Sequence, residues 1–315
     1  MVADERIAAI DGAMNGAGCK AASSQPLIML ARRSHRCGAS FEDAMKERRF
    51  KANGLVLNCL DYGGAGKPPM LFVHGGSAHA HWWDFVAPAF AGDFHVLALD
   101  QRGHGHSQWS KEWEYGSGHY VSDLERIIDS WGLGAPILIG HSMGAHNVLV
   151  YAARNSAKLR AIAAIDTPPD YTERAVAFLR TVAEKPPRRF TSFEDAVKSF
   201  KVLPRETLAR PEILEHIARH SYKQLPDGNW THKLDRRTLI REPLTVWESL
   251  GQIGCPALIV KVADSPLLSV EMAQKMVARM PRGRLAVISD SYHHAMLDNP
   301  RGLIAALKSF VTELG

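Results

Sequence analysis

From residue 49 onward, short apolar runs alternate with longer stretches of mixed polarity. Residues 55–60, 70–73, 94–99, 136–139, 161–165, 256–262 and 285–288 are rich in Val, Ile, Leu and Ala. Runs this short and this continuously apolar read as strands buried on both faces. The stretches between them carry helical patterns. Strand and helix in alternation predict an α/β fold with a mostly parallel, doubly wound sheet covered by helices on both sides.

The alternation stops between residues 171 and 250, where charges are frequent, Pro186-Pro187 interrupts, and no buried-strand run occurs. This segment is expected to be a helical cap inserted over the active site, where it would build the substrate pocket and exclude water. The core is then residues 49–170 and 251–315. Asp227-Gly228-Asn229-Trp230 reads as a turn in the cap, with Trp230 packing there or lining the pocket. Residues 1–48 are rich in Ala, Gly and Ser and hold no catalytic motif. They are expected to be a loosely attached extension.

Composition narrows the function classes. Of 315 residues, 46% are hydrophobic and 23% charged, as in ordinary globular proteins. The net charge of +5 is mild and its Lys and Arg are scattered, which argues against nucleic-acid binding. No apolar run is long enough for a transmembrane helix. Cys19, Cys37, Cys59 and Cys255 have no metal or redox spacing, so a reduced, cytoplasmic protein is the default expectation. Oligomeric state leaves no trace in the pattern.

The chemistry concentrates at Gly140-His141-Ser142-Met143-Gly144. A strand-like run precedes this G-x-S-x-G and a helix-like run, 147–154, follows it. A sharp strand-to-helix turn would expose the Ser142 hydroxyl at the top of the sheet, and small flanking residues would let neighbouring chains approach. A serine hydroxyl needs a histidine to take its proton and a carboxylate to orient that histidine. Asp264, after the run 256–262, is the preferred acid, because carboxylates at the C-terminal ends of such strands face the ligand crevice. Asp166, after the run 161–165, is its rival. The base lies between the last strand and last helix, at His293 or the adjacent His294. Oxyanion donors are expected at the N–H of Met143 and, in the loop His74-Gly75-Gly76-Ser77, the N–H of Gly76, with Ser77 next to it. Candidate pocket residues are Ser77, His141, Trp83 and Trp230. Asp100 and Arg102 are expected to pin loops by ion pairing.

Together these segments resemble the α/β-hydrolase family. His74-Gly75-Gly76 is similar to its H-G-x oxyanion loop, and residues 100–107 to its D-x-R-G-x-G-x-S loop. Gly140 to Gly144 matches its nucleophile elbow, residues 256–264 its acid-bearing strand, and residues 293–300 its H-x-x-x-x-[DE]-x-P ending. The last pattern selects His293 over His294. The sequence departs from the family pattern at Val262 and Tyr292, where glycines are common. The resemblance covers residues from about 48 to the C-terminus.

It implies a serine hydrolase of a carboxylic ester or related acyl compound, with Ser142 as nucleophile, His293 as base and Asp264 as orienting acid. No metal or organic cofactor is implied, and the partner is a small acyl substrate. Activity should rise with pH through about 6–7.5, where a histidine loses its proton. Ser142 argues against epoxide hydrolase or dehalogenase chemistry, which uses aspartate at that position. C–C bond hydrolysis, lactone, thioester or amide cleavage and perhydrolysis share the same triad. A slow or non-catalytic ligand-binding protein on this fold, or a cofactor-independent oxygenase, are the readings from other classes.

Overall fold

The computed structural model describes residues 45–132, 134–242 and 244–314. Most of the region expected to be an extension, residues 1–44, together with Cys19 and Cys37, lies outside them. Within them the chain opens on a hairpin of β1 (Lys46–Ala52) and β2 (Leu55–Asp61). Asn53 and Gly54 have φ of 48° and 77°, the positive values a two-residue type I′ turn requires. The apolar pattern predicts only the second of these strands, with the core starting at residue 49. The first escapes it because Lys46, Arg48, Arg49 and Lys51 stand exposed on a sheet edge, where charge blocks further pairing.

The sheet continues through β3 (Pro69–Val73), β4 (His95–Leu99), β5 (Ile137–His141), β6 (Ala161–Ile165), β11 (Ala257–Val262) and β12 (Gly283–Ile288). Its order is β1-β2-β4-β3-β5-β6-β11-β12, antiparallel for the first three strands and parallel from β4 to β12. The helices are α1 (Ser117–Trp131), α2 (Met143–Asn155), α3 (Glu173–Ala183), α4 (Phe193–Lys198), α5 (Pro211–Ser221), α6 (Val270–Arg279), α7 (Ala295–Asp298) and α8 (Pro300–Thr312).

Strand side chains alternate between two apolar cores. Phe72, Ile139, Ile165 and Val260 meet Leu303, Leu307 and Phe310 of α8 on one face. Leu71, Leu138, Ile162 and Ile259 meet Leu124 of α1, Leu149 of α2 and Met276 of α6 on the other. Burial of each such side chain contributes about 1.5–3 kcal/mol. The strands read as unbroken apolar runs because both faces are covered.

Helices α3, α4 and α5 fall between β6 and β11. The same segment holds two small ladders that the pattern does not announce. β7 (Asp170–Tyr171) pairs with β10 (Leu244–Thr245), and β8 (Tyr222–Gln224) pairs with β9 (Trp230–His232). These strands are two or three residues long, too short for a period-2 signal. The expected turn sits between β8 and β9, with Gly228 at φ 86°.

Among the described residues, no helix is long and apolar enough to cross a membrane. Cys59 and Cys255 are both free and buried.

Candidate active site

Ser142 follows β5 directly and precedes α2. Its backbone has φ 51° and ψ −119°, a conformation that costs an L-residue roughly 1–3 kcal/mol. Packing on both sides holds it there. A Cβ on Gly140 would come within 2.5 Å of Ala145 Cα, and one on Gly144 within 2.4 Å of the carbonyl oxygens of Val73 and His74. Both glycines of the motif are thus required by the approach of backbone to backbone. The Ser142 N–H donates to the Ile165 carbonyl at 2.9 Å, which extends the pairing of β5 with β6 through the turn. Ser142 itself is partly exposed.

His293 is buried, and its Nδ1 lies 2.7 Å from Asp166 Oδ2. Asp166 is fully buried at the end of β6, with φ 46° and its N–H bonded to the Val260 carbonyl at 2.8 Å. Nδ1–H donates to the carboxylate, which leaves Nε2 as the ring's basic nitrogen. Burial, with His294 beside it, holds His293 well below the usual histidine range, so the ring is neutral at physiological pH. Burial also raises the Asp166 carboxyl, against the opposing pull of a Ser265 hydrogen bond and nearby positive charge.

Asp264, the acid preferred from the sequence, is not His293's partner. It is exposed to solvent. The loop after β11 closes over the buried ammonium of Lys261, which donates to the carbonyls of Ala263 at 3.2 Å and Ser265 at 3.0 Å, and also to that of Val262. Only the backbone N–H of Asp264 reaches the histidine loop, donating to Ser291 at 3.1 Å. The rival, Asp166, occupies the position instead.

His141 sits behind the site. Its ring lies 4.4 Å from that of His293, centroid to centroid, and its Nε2–H donates to the His293 carbonyl at 2.9 Å. It ties the histidine loop to the end of β5. His294 is used otherwise, its Nε2 donating to Pro204 O at 3.1 Å.

The loop after β3 is set by a buried network. Gln101 N–H donates to His74 Nε2 at 3.0 Å, so the proton of that ring is on Nδ1, which donates to Gly75 O at 2.7 Å. The Gln101 amide donates to His74 O, and Asn147 on α2 donates to Gln101 Oε1. Asp100 accepts from the Ala80 N–H and from Asn58, and Arg102 forms a bidentate pair with Asp123 at 2.7 Å for both bonds. A Cβ on Gly75 would stand 3.2 Å from Ser142 Cβ, so this loop lies against the serine. Neither the Gly76 nor the Met143 N–H has a partner among the described residues.

Gly76 and Ser77 (φ 62°) line a cavity of about 310 Å³ with Trp82, Phe190, Tyr222 and Leu234. Trp83 is fully buried, its ring 5.0 Å from Phe72, and Trp230 packs on Phe193 at 4.6 Å. The neighbouring Trp82 takes the place expected of Trp83. The pattern gave no means to choose between adjacent tryptophans on a tight 3₁₀ turn.

A second cavity, about 810 Å³, is lined by Tyr115, Tyr171, Arg180, Arg237 and Arg241 among others. Arg241 is only 7% exposed. Its guanidinium touches Met143 Sδ and lies 5.9 Å from the rings of both Tyr120 and Tyr171. Among the described residues no carboxylate pairs with it. Sequence reasoning missed it, since one arginine among scattered cations carries no signal.

A family model described as alpha/beta hydrolase fold matches residues 68–300. An esterase of Mycobacterium tuberculosis is 23% identical over 259 residues, covering 80% of this chain and 85% of the relative. The 2-(acetamidomethylene)succinate hydrolase of Mesorhizobium japonicum is 25% identical over 273 residues, covering 85% and 96%. A crystal structure of E-2-(acetamidomethylene)succinate hydrolase superposes with a TM-score of 0.75 at 23% identity, over 85% of this chain and 99% of that one. At that identity the superposition shows the fold.

Proposed function

We propose, since this chain belongs to the α/β-hydrolase family, that it is a serine hydrolase of small acyl compounds working through Ser142, His293 and Asp166. The observation that supports this is the buried His293–Asp166 pair, together with a serine held at φ 51° in the turn after β5. Ser142 Oγ attacks the carbonyl carbon of the substrate while His293 Nε2 takes its proton. The N–H groups of Met143 and Gly76 receive the charge that develops on the carbonyl oxygen, each contributing about 2.7–4 kcal/mol to barrier lowering. Protonated His293 is stabilised by Asp166 and passes the proton to the leaving group. Water, activated by the same nitrogen, then cleaves the acyl-enzyme. Residues 171–250 serve as the cap, with Phe190, Tyr222 and Leu234 closing the cavity that reaches Gly76 and Ser77.

The acyl substrate we propose bears a carboxylate. Arg241 is a buried cation without a carboxylate partner among the described residues, in contact with Met143. Leaving such a charge unpaired is costly, and an incoming anion relieves that cost. One curated relative is named for a succinate derivative, in keeping with this reading. Arg241→Met should raise KM for a half-ester of succinate at least tenfold while changing that for a neutral butyrate ester little. An equal loss on both would remove Arg241 from substrate recognition.

The experiment for the chemistry itself is labelling with a fluorophosphonate and mass mapping of the peptide. Modification at Ser142, lost in His293→Ala, is the expected result. A folded sample that neither labels nor releases p-nitrophenol from short esters would leave ligand binding without turnover as the better reading.

A further inference from the structure

We propose that this protein binds a divalent transition-metal ion, of the zinc type, between His81, Asp84, His216 and His220, away from the catalytic residues. His81 and Asp84 lie on and just after the 3₁₀ turn Ala80–Trp83 that follows the Gly76-Ser77 loop. His216 and His220 are one turn apart on α5, so both project from the same face of that helix. One ligand atom from each of the four lies within 4.8 Å of the others.

The details fit a metal better than a hydrogen-bonded cluster. Asp84 Oδ2 already accepts from His81 Nδ1 at 2.9 Å and from His216 Nε2 at 2.7 Å. Those two histidines would suffice for a structural hub. His220 adds nothing to it, its ring having no hydrogen bond among the described residues. Yet its ring is stacked on His81 at 3.6 Å and lies 4.8 Å from His216. Three imidazole nitrogens and one carboxylate oxygen make the N₃O set that suits zinc and its neighbours. Tetrahedral bonds of this type put ligand atoms about 3.4 Å apart, so small side-chain rotations complete the site.

The shell around the four is also that of a metal site. Tyr62 donates to Asp84 Oδ1 at 2.5 Å, fixing the carboxylate from behind.

The four residues belong to two segments far apart in the chain. A bound ion would tie α5 to the turn that follows the oxyanion loop. His79, just before that turn, already reaches across, donating from Nε2 to Ser221 Oγ at 2.9 Å at the end of the same helix. The metal would act as a clasp between them, independent of the triad chemistry.

The test uses the full chain stripped with EDTA and titrated with Zn²⁺. One ion should bind per chain at this site and raise Tm by about 5 °C or more at a hundredfold excess over Kd. Co²⁺ in its place should give the strong visible absorption of a tetrahedral site. His220→Ala should keep the metal-free Tm and lose the zinc-dependent rise and the cobalt band. His216→Gln is the second variant, should the first fold poorly. A second histidine group, His141, His293 and His294, is also close enough to hold an ion, so His294→Ala is the control and should keep the rise. Zinc that does not move Tm, or a rise that persists in both His220→Ala and His216→Gln, overturns the proposal. A rise abolished only by His294→Ala does the same.

Discussion

His293 Nδ1 and Asp166 Oδ2 are 2.7 Å apart in a pocket that water does not reach, 127 residues apart in the chain. Among the described residues no other carboxylate pairs with the imidazole, and Asp264 is exposed. Asp166→Asn should therefore lower kcat by about 10³–10⁴-fold, because an amide favours the wrong tautomer of the ring. Asp264→Asn should stay within about twofold of the parent. Steady-state hydrolysis of a p-nitrophenyl ester by the two variants decides the matter, and the opposite ranking would return the role to Asp264.

The pH–rate profile should follow His293. The ring works only when neutral, and burial lowers its pKa. Protonation, and with it loss of kcat/KM, is thus displaced to more acid pH than for an ordinary histidine near 6.5. This moves the acid limb below the range of about 6–7.5 expected from an unperturbed base. A midpoint above 6.5 with a neutral ester would show that burial does not control the base.

Stability should carry its own pH signature through His146, which is fully buried and stacked on Tyr171 at 4.4 Å. Burial pushes it down to about 4. Between about 6.5 and 4 the unfolded chain therefore binds a proton that the folded chain refuses, so stability falls as pH falls through that window. At its acid end the loss is on the order of 3 kcal/mol. Thermal melts from pH 7 to 4 should show His146→Phe declining less steeply than the parent. Parallel slopes would clear His146 of the effect.

Gly144→Ala should damage the elbow. The new methyl would meet two backbone carbonyl oxygens at 2.4 Å, and backbone atoms of β3 cannot swing aside as a side chain can. Overpacking of this kind costs about 1–3 kcal/mol. The melt should shift down accordingly, with fluorophosphonate labelling of Ser142 slowed at least tenfold. Gly76→Ala makes the comparison, as nothing stands within 4 Å of its added Cβ, and it should fold like the parent.

What the sequence determined by itself was whatever is enforced locally. The apolar runs located every parallel strand among the described residues, because all of them except the edge strand β12 are buried on both faces. Gly140-His141-Ser142-Met143-Gly144 identified the elbow, because a strand-to-helix turn that tight admits few residue types. Only the tertiary structure shows that Asp166, and not Asp264, lies against His293. Both follow β-strands that neighbour each other in the sheet, and their local sequences look alike. In the loop after β11 the buried ammonium of Lys261 binds the carbonyls of Val262, Ala263 and Ser265, and Asp264 stands exposed. The same holds for Arg241 against Met143 and for the group His81, Asp84, His216 and His220: local spacing links His81 to Asp84 and His216 to His220, but only packing of distant segments brings the two pairs together.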